Sequence, residues 1–375
     1  MVPRSFPAIF ARGGTSNGLV INRHDLPPQD QWHTVLPAAM GSPDGYGRQL
    51  NGMGSGISST SKICVLSPTD REDADVEFTF VQVDIKDGTL DMAGNCGNMS
   101  SIVGPVAFDE GYIGKTVENV TADENGQMTA MVKIYNTNTS KVIHSRFRVV
   151  GDPPRYCPDG DYEMDGVPGT NSRITLSFLS PAGAKTGKAL PTGNPVDIPE
   201  LPDGNTIEAS LVDVSNPGVF VRVSDLPVQD ISSLNPASIE ADPELKLRLE
   251  QIRQAGTSKM GLDPQIQSVP KIVMIFPQSE ISSDSADIDI KVQAMSMGQA
   301  HKAVPLTLAL CLGAATNIPG TIPAQIARSM NQRGSTVIGH PSGNVEIGAT
   351  MAGDEIASAE LLRTARVLMK GDVYF

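Results

Sequence analysis

Positive charge is scarce in this chain. Its 375 residues carry 29 Lys and Arg against 42 Asp and Glu, a net charge of -13. A nucleic-acid binder needs a basic face to neutralise phosphates, so no nucleic-acid partner is expected. A small anion is still admissible, given a local cationic pocket. Cysteine is equally sparse: Cys64, Cys96, Cys157 and Cys311 show no Cys-x-x-Cys or Cys/His spacing. Neither a disulfide framework nor a zinc site is indicated, and metal-free chemistry is expected. No apolar run reaches the length of a membrane span, and Met1-Val2-Pro3-Arg4-Ser5-Phe6-Pro7 lacks the apolar core of a signal peptide. No membrane partner is therefore expected, and the cytoplasm is the expected compartment.

What the chain does have is internal repetition. Ser16-Asn17-Gly18-Leu19-Val20-Ile21, running on to Asp25-Leu26-Pro27, returns as Ser215-Asn216-Pro217-Gly218-Val219-Phe220-Val221, running on to Asp225-Leu226-Pro227. Lys62-Ile63-Cys64-Val65-Leu66-Ser67-Pro68 returns as Lys271-Ile272-Val273-Met274-Ile275-Phe276-Pro277. Asn95-Cys96-Gly97-Asn98 leads to Pro105 as Ser296-Met297-Gly298-Gln299 leads to Pro305, and Ile134-Tyr135-Asn136-Thr137-Asn138 is matched by Ile338-Gly339-His340-Pro341-Ser342-Gly343. A period of about 200 residues is far beyond the solenoid range of about 20 to 50, so it marks a duplicated domain. Length agrees with two domains of about 100 to 200 residues. The stretch from 151 to 205 is dense in Pro, Gly and Asp and holds the crossover, so the domains expected are 1–182 and 183–375.

Apolar residues make up 39%, with 36 glycines and 28 prolines, as in a globular protein of strands and turns. Val76 to Ile85 alternates with a change of phase at Phe80-Val81, which predicts a half-buried strand with a bulge. Met99 to Phe108 suits a helix kinked at Pro105, and Ala300 to Ala315 suits a longer one around Pro305. Antiparallel strands with one helix per half predict an α+β architecture of two similar lobes.

When such lobes close on each other, equivalent turns from each meet at the interface and hold a small ligand from two sides. A glycine-bearing turn that opens a helix presents free N–H groups and a dipole favouring carboxylates. Each end gives only about 0.3 to 1 kcal/mol when exposed, so cations and hydroxyls must add to it. Arg12-Gly13-Gly14-Thr15-Ser16-Asn17-Gly18 and Gly54 through Ser58-Ser59-Thr60-Ser61-Lys62 provide both. Neither has the Gly-x-x-x-x-Gly-Lys-Ser/Thr spacing of a nucleotide loop.

Those two strings, with Gly94-Asn95-Cys96-Gly97-Asn98, Met297-Gly298 followed by His301-Lys302, Gly339-His340-Pro341-Ser342-Gly343 and the closing Arg363-Thr364-Ala365-Arg366-Val367-Leu368-Met369-Lys370-Gly371, resemble the PrpF family. That family comprises methylaconitate, methylitaconate and aconitate double-bond isomerases and oxalomesaconate tautomerases. The resemblance covers essentially the whole chain. It implies a diaminopimelate epimerase-like fold, two pseudo-symmetric halves, each a barrel-like, mostly antiparallel sheet around a central helix, with the site in the cleft between them. It also implies Lys62 and Cys96 as the proton-transfer groups and no cofactor. The substrate-binding set expected is Arg12, Thr15, Ser16, Asn17, Ser58, Ser59, Thr60, Asn95, Gly97, Asn98, Lys271, Ser296, Met297, Gly298, His301, Lys302, His340 and Ser342. The partner is a small di- or tricarboxylate; a homodimer is left open.

The epimerases of this fold carry a cysteine at both helix starts, whereas here Ser296-Met297 stands at the second. This departure argues against a two-thiol racemase. The implied chemistry is a 1,3 proton shift: an allylic methylene beside a carboxylate loses a proton to give a dienolate, and a proton returns at the far carbon. A cysteine, with an ordinary pKa of about 8.5, is a better base near neutrality than a lysine at about 10.4. Cys96 is therefore read as the base and Lys62 as charge stabiliser or proton return, with exchanged roles open. Cys64 and Cys311 sit in apolar contexts and are read as core. Arg12 reads equally as a surface ion-pair residue, Lys271 as a strand-end lysine, and His301, Lys302 and His340 as helix or turn residues. Two other classes remain: an amino-acid epimerase, and a non-catalytic tricarboxylate-binding accessory to an aconitase-type enzyme.

Overall fold

The computed structural model describes residues 5–92, 95–113, 119–123, 126–267, 269–281, 288–328, 335–353 and 355–375. The chain folds as two units, one of residues 1–179 with 362–375 and one of 180–361.

In the first unit, β1 (Ser5–Gly13), β2 (Ser16–Asn22), β3 (Lys62–Ser67), β4 (Val76–Val83), β5 (Met128–Asn136), β6 (Lys141–Val150) and β7 (Ile174–Leu179) form one ladder. Its successive pairings are antiparallel, parallel, antiparallel, parallel, antiparallel and antiparallel. Helix α1 (Trp32–Met40) lies on one face, where Trp32, Leu36 and Met40 pack with Leu19, Ile21, Ile63, Val65, Val81 and Val83. Helix α2 (Gly97–Asp109) lies on the other and touches β1, β2, β3, β5, β6 and β7. One helix reaches both ends and the middle of the ladder only if the sheet wraps around it. Eleven of its residues, Met99, Ile102, Val103 and Phe108 among them, are accordingly buried.

The second unit repeats this order. Strands β8 (Ser210–Val214), β9 (Asn216–Arg222), β10 (Lys271–Ile275), β11 (Ile290–Ser296), β13 (Ser335–His340), β14 (Gly343–Ala352) and β15 (Glu355–Arg363), whose last two residues belong to the first unit, pair in the same alternation of directions. The short β12 (Gln299–Ala300) folds back on β11. Helix α3 (Pro243–Lys259) covers one face through Leu245, Leu249 and Ile252, and α4 (Leu306–Ala315) touches β8, β9, β13 and β14. The duplication is therefore a duplication of topology. Gly18 pairs with Lys62 across β2 and β3 as Gly218 pairs with Lys271 across β9 and β10.

Three expectations need correction. The final strand, β16 (Ala365–Tyr374), pairs antiparallel with β1, so residues 362–375 belong to the first unit and not to a second domain running to 375. The phase change at Phe80-Val81 is no bulge, because β3 and β4 pair in unbroken register from Lys62↔Gln82 to Ser67↔Glu77. Both residues are buried because β4 is covered on both faces. Helix α4 begins at Leu306 with Pro305 at its N-cap, instead of spanning 300–315. Met297 and Gly298, at φ 52° and 70°, make a two-residue hairpin turn whose positive φ values at both positions match strand twist, so the second turn opens a strand and no helix.

Candidate active site

In the first unit, strand parity decides which groups meet. Lys62, Cys64 and Leu66 share one face of β3 with their register partners Gln82, Phe80 and Phe78, opposite the face that packs on α1. That is the α2 side. A Cβ at Gly18, the register partner of Lys62, would lie 2.3 Å from the Lys62 carbonyl and 3.1 Å from Cε of Met99 on α2. Only glycine lets these elements approach so closely.

Lys62 is 9% exposed. Its ammonium donates to Oε1 of Gln82 at 2.8 Å and stands 5.2 Å from the Phe80 ring centroid. The Gln82 amide nitrogen donates to the carbonyls of Ser58 and Ser61, at 3.1 and 2.8 Å, which fixes its oxygen toward Lys62. Among the described residues, the hydrogen-bond partner of this ammonium is thus a neutral oxygen.

Cys96 is the N-cap of α2, half-buried and not in a disulfide. Its side chain makes no cap bond, and the first turn carries no acidic residue, so the unpaired N–H groups and positive dipole end are not neutralised locally. The Ser100 N–H and hydroxyl both donate to the Cys96 carbonyl, and the hydroxyl also lies 3.0 Å from Oδ1 of Asn95. Gly97 is buried at the first helical position. The neighbouring Cys64 thiol is pushed well up by burial and further up by Cys96, while Lys62 opposes the shift, so both groups act on this one buried sulfur. Gly94 of the Cys96 motif lies outside the described residues.

The β1–β2 hairpin closes against the same helix end. Its turn has Gly14 at φ 53°, where a Cβ would stand 2.1 Å from Oδ1 of Asn98. The Asn98 amide donates to Oγ1 of Thr15 at 3.0 Å, which brings Thr15, Asn98 and Cys96 together. Ser16 is buried and Asn17 half-buried beside this turn. Arg12 is engaged within the fold: Nη1 donates to the carbonyls of Gly14 and Thr364 and to the Thr364 hydroxyl, at 2.9, 3.1 and 3.0 Å. Burial is the main cause that lowers its pKa. In the 58–60 turn, Thr60 Oγ1 accepts from Ser55 and lies 3.0 Å from the Ile57 carbonyl, Ser58 lends its carbonyl to Gln82, and Ser59 is half-buried.

The second unit has its own polar set. Lys271 opens β10, and burial lowers its pKa. His301 is also lowered, mainly by burial and in smaller part by the charge of Lys271, while its bond to Ala303 opposes the shift. The His301 Nδ1 lies 2.7 Å from the carbonyl and 3.0 Å from the N–H of Ala303. The Ser342 hydroxyl donates to the Lys302 carbonyl, and the Ser342 N–H donates to Nδ1 of His340 at 3.2 Å, so the 341–342 hairpin is joined to the 301–302 segment. Lys302 and Ser342 are exposed, while His340 and Ser296 are half-buried. Met297 and Gly298 stand apart: they border a small pocket with Leu249, Arg253 and Gln267, on the α3 side.

Two residues went unrecognised in the sequence. Gln82 became visible only through its register with Lys62. Arg363 is 7% exposed and follows from the return of residues 362–375 to the first unit. Among the described residues, no group of three or more His, Cys, Asp or Glu side chains could hold a metal ion, and no helix is long and apolar enough to cross a membrane.

The first unit is thus a sheet curled around a helix that has Cys96 at its N-cap, with the buried Lys62 on the sheet face turned to that helix. A hydroxyproline epimerase from Agrobacterium vitis, 14% identical with a TM-score of 0.52 over 99% of this chain and 93% of its own, shares that fold. The chain belongs to the PrpF family, whose model, described as PrpF protein, matches residues 4–375. It is 36% identical to the 3-methylitaconate isomerase of Eubacterium barkeri, over 98% of this chain and 96% of the relative. It is 34% identical to the 2-methyl-aconitate isomerase of Cupriavidus necator, over 97% and 96%. The (4E)-oxalomesaconate Delta-isomerase of Novosphingobium sp. is 34% identical, over 99% and 97%. The crystal structure of a methylitaconate-delta-isomerase superimposes with a TM-score of 0.85 at 34% identity, over 100% of this chain and 96% of its own.

Proposed function

We propose that this chain moves a carbon–carbon double bond along an unsaturated di- or tricarboxylate of the aconitate, methylaconitate or methylitaconate type by a 1,3 proton shift. The observation that supports this most is the placement of Lys62 on the sheet face that is turned to α2, with Cys96 at the N-cap of that helix. Cys96, as the thiolate, takes a proton from the methylene that is allylic to the double bond. The C–H pair becomes the new π bond, and the old π pair is delocalised onto the conjugated carboxylate as a dienolate. A proton then returns to the far carbon, so atoms and electrons balance without an oxidant. The accumulating carboxylate charge is the obstacle, and the Lys62 ammonium, held by Gln82, with the N–H groups of α2, stabilises it. Acid–base catalysis of this kind contributes about 10² to 10⁴-fold. Thr15, Ser16, Asn17, Asn95 and Asn98 orient the carboxylates.

Proton NMR in deuterated water, with cis-aconitate, trans-aconitate, 2-methylaconitate, 3-methylitaconate and oxalomesaconate, tests the reading. Migration of the double bond with deuterium at the allylic carbon is expected for one or more of them. Keto–enol exchange confined to oxalomesaconate would replace this reading with the tautomerase. Exchange with none would refute both.

A further inference from the structure

We propose that Arg363 is a receptor for a substrate carboxylate at the Cys96 site, an assignment that rests on the function proposed above. Three observations carry it. First, the guanidinium is 7% exposed, and its Nε has no hydrogen-bond partner, while Nη1 donates to the Leu362 carbonyl at 2.7 Å. A buried donor without a partner is rare, because desolvation is uncompensated until something accepts from it. Second, the neighbouring backbone is fixed to the site: the Thr364 carbonyl accepts from the Gly14 N–H at 2.9 Å, and Gly14 abuts Asn98, two residues beyond Cys96. Third, Cys96 and Tyr162 act on Arg363 electrostatically, each opposing the burial that brings its pKa down to about 10, a value at which it remains a cation near neutrality.

The chemistry expected of the ligand is a planar anion. A guanidinium presents parallel N–H donors that match both oxygens of a carboxylate, which an ammonium cannot do. In this role Arg363 holds the carboxylate conjugated to the reacting carbon, and the charge that leaves the C–H bond spreads onto oxygens already hydrogen-bonded. Arg12, engaged by Gly14 and Thr364, braces the hairpin beside it.

The test uses tricarballylate, a saturated tricarboxylate that cannot isomerise, and glutarate, which lacks its middle carboxylate. Both are titrated calorimetrically into the wild-type protein, Arg363→Gln and Arg363→Lys. We expect Arg363→Gln to bind tricarballylate about 10- to 100-fold more weakly, as befits loss of a charged hydrogen bond, and Arg363→Lys to fall in between. The advantage of tricarballylate over glutarate shrinks selectively in the variants; a general structural defect would weaken the two ligands alike and overturn the proposal. Wild-type affinity in either variant would overturn it as well. If Arg363→Gln does not fold, Arg363→Lys alone decides. A wild-type protein that binds tricarballylate but isomerises no acid removes the proposed function and leaves the carboxylate receptor standing. One that isomerises, with variants binding normally, removes the receptor alone.

Discussion

Lys62 and Gln82 face each other across β3 and β4, and the lysine ammonium donates to the glutamine oxygen at 2.8 Å. Because the Gln82 amide nitrogen is tied to the Ser58 and Ser61 carbonyls, the oxygen cannot turn away, and the lysine is held on the α2 side of the sheet.

Replacing Gln82 with Met removes that acceptor while keeping volume. The expected result is a fall in kcat of about 100-fold, the scale of misplacing a catalytic group by about 1 Å, with KM changed much less. Steady-state kinetics on the preferred acid checks it. An unchanged kcat would show that Lys62 needs no orientation.

Gly14→Ala puts a methyl group where Asn98 stands, at a backbone φ of 53°. We expect a loss of about 1–3 kcal/mol, the range for a side chain forced into a strained conformation, measured as a lower urea midpoint. Activity should fall with it, because the Thr15–Asn98 contact is lost.

Arg12→Ala separates two roles. As a brace between Gly14 and Thr364, Arg12 contributes about 1–3 kcal/mol through its hydrogen bonds, so the urea midpoint should drop and added substrate should recover part of it. An unchanged midpoint with a large rise in KM would instead make Arg12 a direct substrate ligand.

The acid limb of stability should depend on His301. Burial and Lys271 lower its folded pKa, so the unfolded chain takes up a proton first. The contribution of neutral His301 is whole above the unfolded value of about 6.5 and is lost as pH falls from there through the folded value. His301→Asn should flatten the decline of the urea midpoint below about pH 6.5. His144, lowered mainly by burial, accounts for part of the decline that remains.

The repeat was legible because its markers are structural: Lys62 and Lys271 each open a strand beside a glycine, and backbone register preserves that pairing whatever the side chains do around it. The start of α2 at Gly97 was legible because a glycine turn stands before an apolar run, whereas a proton-transfer role for Cys96 came only from the family resemblance. The second helix start was misread at Met297-Gly298, since a glycine turn before an apolar run looks alike whether it opens a helix or a hairpin; only the positive φ at both residues separates them. Gln82 and Arg363 stayed hidden for a different reason. Each owes its place to a long-range pairing, Gln82 to the β3–β4 register and Arg363 to its position just before β16, which returns along β1.

The central claim is that Cys96 moves the proton. Its most direct measurement is the rate of deuterium uptake into the allylic position of the preferred acid by Cys96→Ser, set against the wild-type protein at equal concentration and saturation. The account predicts exchange slowed at least about 100-fold, within the range contributed by a general base, with tricarballylate affinity retained. Exchange at the wild-type rate in Cys96→Ser would contradict it and shift the base to Lys62 or elsewhere.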